Sequence, residues 1–154
     1  MADAVRQEEV DAPRFLGGIY VLVEQAYRDA DYESLMTAVQ TDLQRDHAEY
    51  FSEESGPDGS SWPPLATRTI QRKGHDSILF ETGALRESLT GDVSGAVRNT
   101  THRGLVFGTS VPYSIFHQQG AGRLPQRAHV GVTEQRVEAI TEQVADALVD
   151  KLKP

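Results

Sequence analysis

The sequence predicts an α+β domain: a small antiparallel β-sheet packed by helices, with long helices towards both ends. Three observations predict it. Tyr32, Met36, Val39, Leu43, His47 and Tyr50 recur at intervals of three and four residues, the period of one helix face. Val137, Ile140, Val144, Leu148 and Leu152 do the same near the C-terminus. Between them lies a segment with alternation and turn residues, in which Val93, Gly95 and Val97 alternate and Leu105 to Gly108 is apolar. Helices at the ends and strands in the middle favour helices on one face of a small sheet.

Each element has its own warrant. Residues 1–10 are acidic and polar and read as a flexible tail, leaving 11–154 as a single domain. Asp11-Ala12-Pro13 suits a helix start, and Phe15, Ile19, Leu22, Val23, Ala26 and Tyr27 have helical spacing. The pair Gly17-Gly18 weakens that helix, and Ile19 to Val23 fits a short strand as well. Asp31 can cap the helix that follows. Ser52 to Ser61 is a loop rich in Gly, Ser and acid. Pro63-Pro64 can start a short helix through Ile70, and Gln71 to Asp76 is a polar, mobile stretch. Thr82 is placed to cap a turn over Gly83 to Leu89, with Leu85 and Leu89 on one face. The two strands join near Asn99 to Gly104. Pro112 to Gln118 forms one helical turn, Gln119 to Gln126 a loop, and Ala128 to Val132 a third strand. Thr133 caps the last helix, with Glu134 in its first turn and Lys151 and Lys153 at the end that favours cations.

Composition narrows the function. A chain of 154 residues is one domain by length, long enough to bury about two-thirds of its extended surface. The net charge of −8 argues against a general nucleic-acid binder and suits a surface that DNA passes without sticking. With no cysteine there is no disulfide framework, thiolate nucleophile or cysteine-ligated metal. No apolar run approaches a membrane span, and the N-terminus has no signal-peptide pattern.

The search for reactive chemistry finds near misses. The five histidines lack an H-E-x-x-H pair or clustered spacing, so no metal site is expected. His47 reads as a boundary residue on a helix stripe, and His117 as a turn residue bonded to nearby backbone. Gly91-Asp92-Val93-Ser94-Gly95 misplaces the serine of a nucleophile elbow. Gly120-Ala121-Gly122 is half of a dinucleotide fingerprint without its strand and helix. The acid pairs Glu8-Glu9 and Glu53-Glu54 lie in mobile segments and read as solvated. No catalytic residue, metal ligand or cofactor is assigned.

One cluster carries a functional reading. Arg98, His102, Arg103, Arg123 and Arg127 fall in the hairpin and the loops after it, within an acidic chain. Such a patch can meet an acidic neighbouring subunit or a DNA backbone, or be a solvated face. Leu124 and Pro125, apolar in a polar loop, favour protein contact. Trp62, the chain's sole tryptophan, sits between a Gly/Ser turn and two prolines and reads as a core anchor with Leu65, Leu85 and Leu89.

The most specific signal is an ordered series of short motifs. Pro57-Asp58-Gly59-Ser60-Ser61-Trp62-Pro63-Pro64-Leu65 precedes Leu79-Phe80-Glu81-Thr82-Gly83-Ala84-Leu85-Arg86-Glu87-Ser88-Leu89. Then come Val106-Phe107-Gly108-Thr109, Val111-Pro112-Tyr113, Phe116-His117-Gln118-Gln119-Gly120 and Pro125-Gln126-Arg127-Ala128-His129-Val130-Gly131. From Tyr50 to Gly131 this order resembles the phage virion-morphogenesis, or tail-completion, family. Ser114 stands where that family has a small alanine, and His129-Val130 replaces an aromatic-aliphatic pair.

The resemblance implies a non-enzymatic structural protein of a tailed phage or prophage. It would assemble in the host cytoplasm and complete the tail at the head-tail junction of the virion. Its implied partners are copies of itself in a ring, for which six-fold symmetry is one option, the tail tube protein and the head-tail connector. No membrane is involved, and DNA is at most a non-specific neighbour in the lumen. The interface is expected on Arg98, Arg103, Tyr113, His117, Arg123, Leu124 and Arg127, with the acidic surface around Glu138, Glu142 and Asp146 as its complement. The alternatives are a minor capsid or head-completion protein and, less favoured, a small metal-dependent hydrolase.

Overall fold

The structure, a computed structural model, describes residues 32–101 and 104–152. The expectations for residues 1–31 lie outside these, as do His102, Arg103 and Lys153. The chain divides into two compact units. Asp31–Val144 forms one, and the other joins Met1–Ala30 to Ala145–Pro154.

Among the described residues there are five helices and a two-stranded antiparallel sheet, an α+β fold. Helix α1 spans Tyr32–Glu53, α2 Thr67–Lys73, α3 Ala84–Thr90, α4 Ser114–Gln119 and α5 Glu134–Leu152. Strands β1 (Ala96–Thr101) and β2 (Gly104–Thr109) pair with Thr101 opposite Gly104 and Ala96 opposite Thr109.

Helix α1 is the spine. Its 22 residues contain neither Gly nor Pro, and its buried side chains are Tyr32, Met36, Val39, Leu43, His47, Tyr50 and Phe51. The chain leaves it through Glu54, whose φ of 50° breaks the helical backbone. Its N-terminal half packs Met36, Val39 and Leu43 against Leu105 and Phe107 of β2 and against Ile140 and Val144 of α5. Its C-terminal half contributes Tyr50 and Phe51 to a second cluster with Trp62, Ile78, Leu85 and Leu89.

Helix α5 begins as its cap predicts: the Thr133 hydroxyl accepts from the Arg136 amide at 3.0 Å. The face it turns to α1 differs from the expected stripe. Arg136 donates to both Asp46 oxygens at 2.6 and 2.7 Å and to Asp42 at 3.0 Å. That fork points the row Arg136–Ile140–Val144 at α1 and leaves Val137, one position along, 50% exposed.

Three local expectations are corrected. Pro63 and Pro64 do not start a helix: α2 begins at Thr67, after an extended Ala66. It runs through part of the expected mobile stretch to Gly74, whose φ of 77° ends it. The cap of α3 is Gly83, at φ 86°, and not Thr82. The Thr82 hydroxyl only approaches the Ala84 amide, at 3.4 Å. Residues 128–132 form no strand, because side chains claim their backbone. Gln118 Oε1 accepts from the His129 and Val130 amides at 2.9 and 3.0 Å, and Gln118 Nε2 donates to the Val130 carbonyl.

Candidate functional site: a basic cleft built on interlocked motifs

The motifs that stand apart in sequence meet in space and bond to one another. Asp58 closes a tight turn by accepting from the Ser60 amide and hydroxyl. The Gly56 amide donates to the Ser60 carbonyl, which brings the chain back beside α1. Trp62 is thereby turned inward, 5% exposed, edge-on to Phe51 at 5.4 Å. Its Nε1–H donates to the Ala128 carbonyl at 2.7 Å, so the anchor has both an apolar bed and a polar partner. Arg127 completes this clasp. It is 3% exposed, and its guanidinium donates to the Pro63 and Pro64 carbonyls at 2.8 and 3.0 Å. Ser88 and Thr109, from two other motifs, share a hydroxyl–hydroxyl bond of 2.7 Å between α3 and the hairpin.

Arg98 is also held inside the protomer. It donates to the carbonyls of Gly108 and Ser88 at 2.8 and 2.9 Å, and its guanidinium lies 3.9 Å from the Phe107 ring. It ties the hairpin to the C-terminal turn of α3, where a cation is favoured. Arg98 and Arg127, expected at the interface, give most of their donors to this chain's own carbonyls. Charge in the sequence marks an arginine but not which way its guanidinium faces.

The two departures from the family pattern are bonded to each other. His129 is fully buried, and its Nδ1–H donates to the Arg127 carbonyl at 2.9 Å. The other nitrogen accepts from the Ser114 hydroxyl at 2.8 Å. Burial favours the neutral ring and lowers its pKa. His47, expected at a boundary, is 1% exposed and lies within the core, and burial lowers its pKa as well. His117 shifts the same way, from burial first and then from nearby Arg127.

These shifts set a pH dependence. Well above pH 6.5, His47, His117 and His129 are neutral whether the chain is folded or unfolded. Below it the unfolded chain takes up protons that the folded chain resists, so stability falls with pH, by up to about 1.4 kcal/mol per pH unit for each fully resisting histidine. Urea midpoints should accordingly drop between pH 7.5 and 5.5, and less so in a Ser114→Ala/His129→Phe variant. Equal midpoints at both pH values would contradict this.

Against this clasp lies a cleft of about 770 Å³. Leu65, Leu79 and Leu85 reach it from the Trp62 cluster, and Phe80, Tyr113, Leu124 and Pro125 add apolar surface. Its lining holds Arg72, Lys73, Arg123 and Arg127 against one carboxylate, Glu81. The chain as a whole has 15 basic and 23 acidic residues, so positive charge is concentrated here. Arg72 and Glu81 are 3.7 Å apart and both well exposed, a pairing of little energetic weight. Gly120 turns the chain into the 120–126 loop, which brings Arg123, Leu124 and Pro125 to the lining. At φ 74°, a Cβ there would stand 3.2 Å from the Gln126 amide, and Ala121 bridges Leu124.

The structure thus brings Tyr113, His117, Arg123, Leu124 and Arg127 to one cleft, together with the anchors Leu65 and Leu85. Arg98 lies apart, in the hairpin. Sequence reading missed Arg72, Lys73 and Phe80, which had been placed in loop or motif without a role. It also missed the exposed pair Ile115 and Phe116, 49% and 54% accessible, beside Tyr113 at 44%. Among the described residues no group of His, Cys, Asp or Glu could hold a metal ion. No described helix is long and apolar enough to cross a membrane.

An apolar, basic cleft beside an exposed apolar turn is the kind of surface that protein contacts use. Residues 20–149 match the family model of the phage virion morphogenesis family, and the chain belongs to that family. No curated protein and no solved structure matches it. Membership gives the chain a structural or morphogenetic role in a phage virion.

Proposed function

We propose that the chain completes the tail of a tailed phage or prophage and joins it to the head connector, as one subunit of a ring. Family membership supports the phage-assembly setting. The observation that carries the contact role is the surface of Tyr113, Ile115 and Phe116, large apolar side chains left in water next to the basic cleft. Apolar contact of this kind supplies affinity, and the surrounding cations set register. Tail tube and connector proteins are the proposed partners besides further copies of the chain, at the head-tail junction. No bond is made or broken in this role.

The test is Arg123→Glu with Leu124→Asp. Neither side chain is needed by the clasp, so the folded protein should keep its urea midpoint. Lysates should contain unattached filled heads and tails of normal length. Particles of normal infectivity would overturn the reading, and emptied heads would favour head completion instead.

A further inference from the structure

Resting on the ring reading, we propose that the cleft is filled by the outward face of α5 from a second copy of this chain, so that neighbours associate head to tail. Helix α5 carries an unusual exposed surface. Glu134, Glu138 and Glu142 stand one turn apart on one row, all exposed. Like charges at that spacing repel, and none of the three makes an ion pair within the protomer. Beside them, one position back along the helix, run Val137 and Thr141, also exposed. The exposed Val137 and the methyl-bearing Thr141 thus lie alongside a carboxylate strip.

The cleft presents the complement. Phe80, Leu124 and Pro125 offer apolar surface, and Arg72 and Arg123 offer charge of the opposite sign. The carboxylate row excludes a nucleic-acid backbone from α5, and the apolar lining makes the cleft a poor seat for one. Two different patches on one chain that complement each other make a heterologous contact, and such contacts close into a ring when the rotation between neighbours allows. Removing the mutual repulsion along α5 is available only when cations from outside the protomer reach it. The cleft is where the described unit concentrates them.

The chain has no cysteine, so among copies of this chain introduced cysteines can pair only with each other. Leu124→Cys is combined with Thr141→Cys, and separately with Val137→Cys, to sample two neighbouring positions beside the carboxylate strip. Particles assembled from each variant are oxidised mildly and run on a non-reducing denaturing gel. At least one combination should give a ladder of covalent multimers that collapses on reduction, whereas none of the three single cysteines gives bands above a dimer. Particles that hold several copies of the chain but yield no ladder from either combination overturn the cleft–α5 contact while leaving the ring standing. Efficient dimers from Leu124→Cys alone also overturn it, since they place two clefts face to face. A single copy per particle overturns the ring reading, and this inference with it.

Discussion

Trp62→Ala is expected to lower the unfolding free energy by about 3–5 kcal/mol, the range for truncating a large aromatic in a packed core. The side chain is 5% exposed, packs on Phe51 and donates to the Ala128 carbonyl. Alanine removes the apolar contact, leaves a cavity and orphans that carbonyl together. Because Trp62 is the sole tryptophan, the wild-type transition can be followed by its own fluorescence, and the variant by circular dichroism in urea. Leu65→Ala, at a half-buried position, should cost clearly less. A loss below about 0.5 kcal/mol for Trp62→Ala, the size of an ordinary surface change, would mean that the loop carrying it is not held by the core.

Arg127→Ala should be the second large effect, at about 2–4 kcal/mol. Hydrogen bonds from a charged donor contribute about 1.5–3 kcal/mol each, and Arg127 makes two to the Pro63 and Pro64 carbonyls. The burial that lowers its pKa works against the ion and offsets part of that gain. Arg123→Ala, four residues away and exposed, should change stability by no more than about 0.5 kcal/mol. Equal effects at the two arginines would contradict the division between a clasp residue and a surface residue. The pair matters because Arg127 and Arg123 are alike in sequence: same residue type, same basic cluster, same loop.

That example shows where sequence reading stops. The stripes of α1 and the start of α5 were legible because burial on a helix repeats every three to four residues, and Thr133 could be named as a cap because an N-cap needs only local geometry. The apolar segment 128–132 looked like a strand, yet Gln118 and Trp62 hold its backbone from ten or more residues away. Val137 fitted the α5 stripe by spacing, but the Arg136 fork to Asp42 and Asp46 sets the helix's rotation, and that pairing spans ninety residues or more. The motifs were legible as an ordered set without showing what they do. Bonded together as they are, they hold the fold, while the proposed contacts are divided between motif residues such as Phe80, Tyr113, Phe116 and Pro125 and residues beside them, Arg72, Ile115, Arg123 and Leu124.

Cryo-electron microscopy of the assembled particle is the decisive measurement. A closed ring of this chain is expected at the head-proximal end of the tail, with each cleft covered by the next subunit and Tyr113, Ile115 and Phe116 no longer in solvent. Density for the chain in the capsid shell or the distal tail, or its absence from the finished particle, would contradict it.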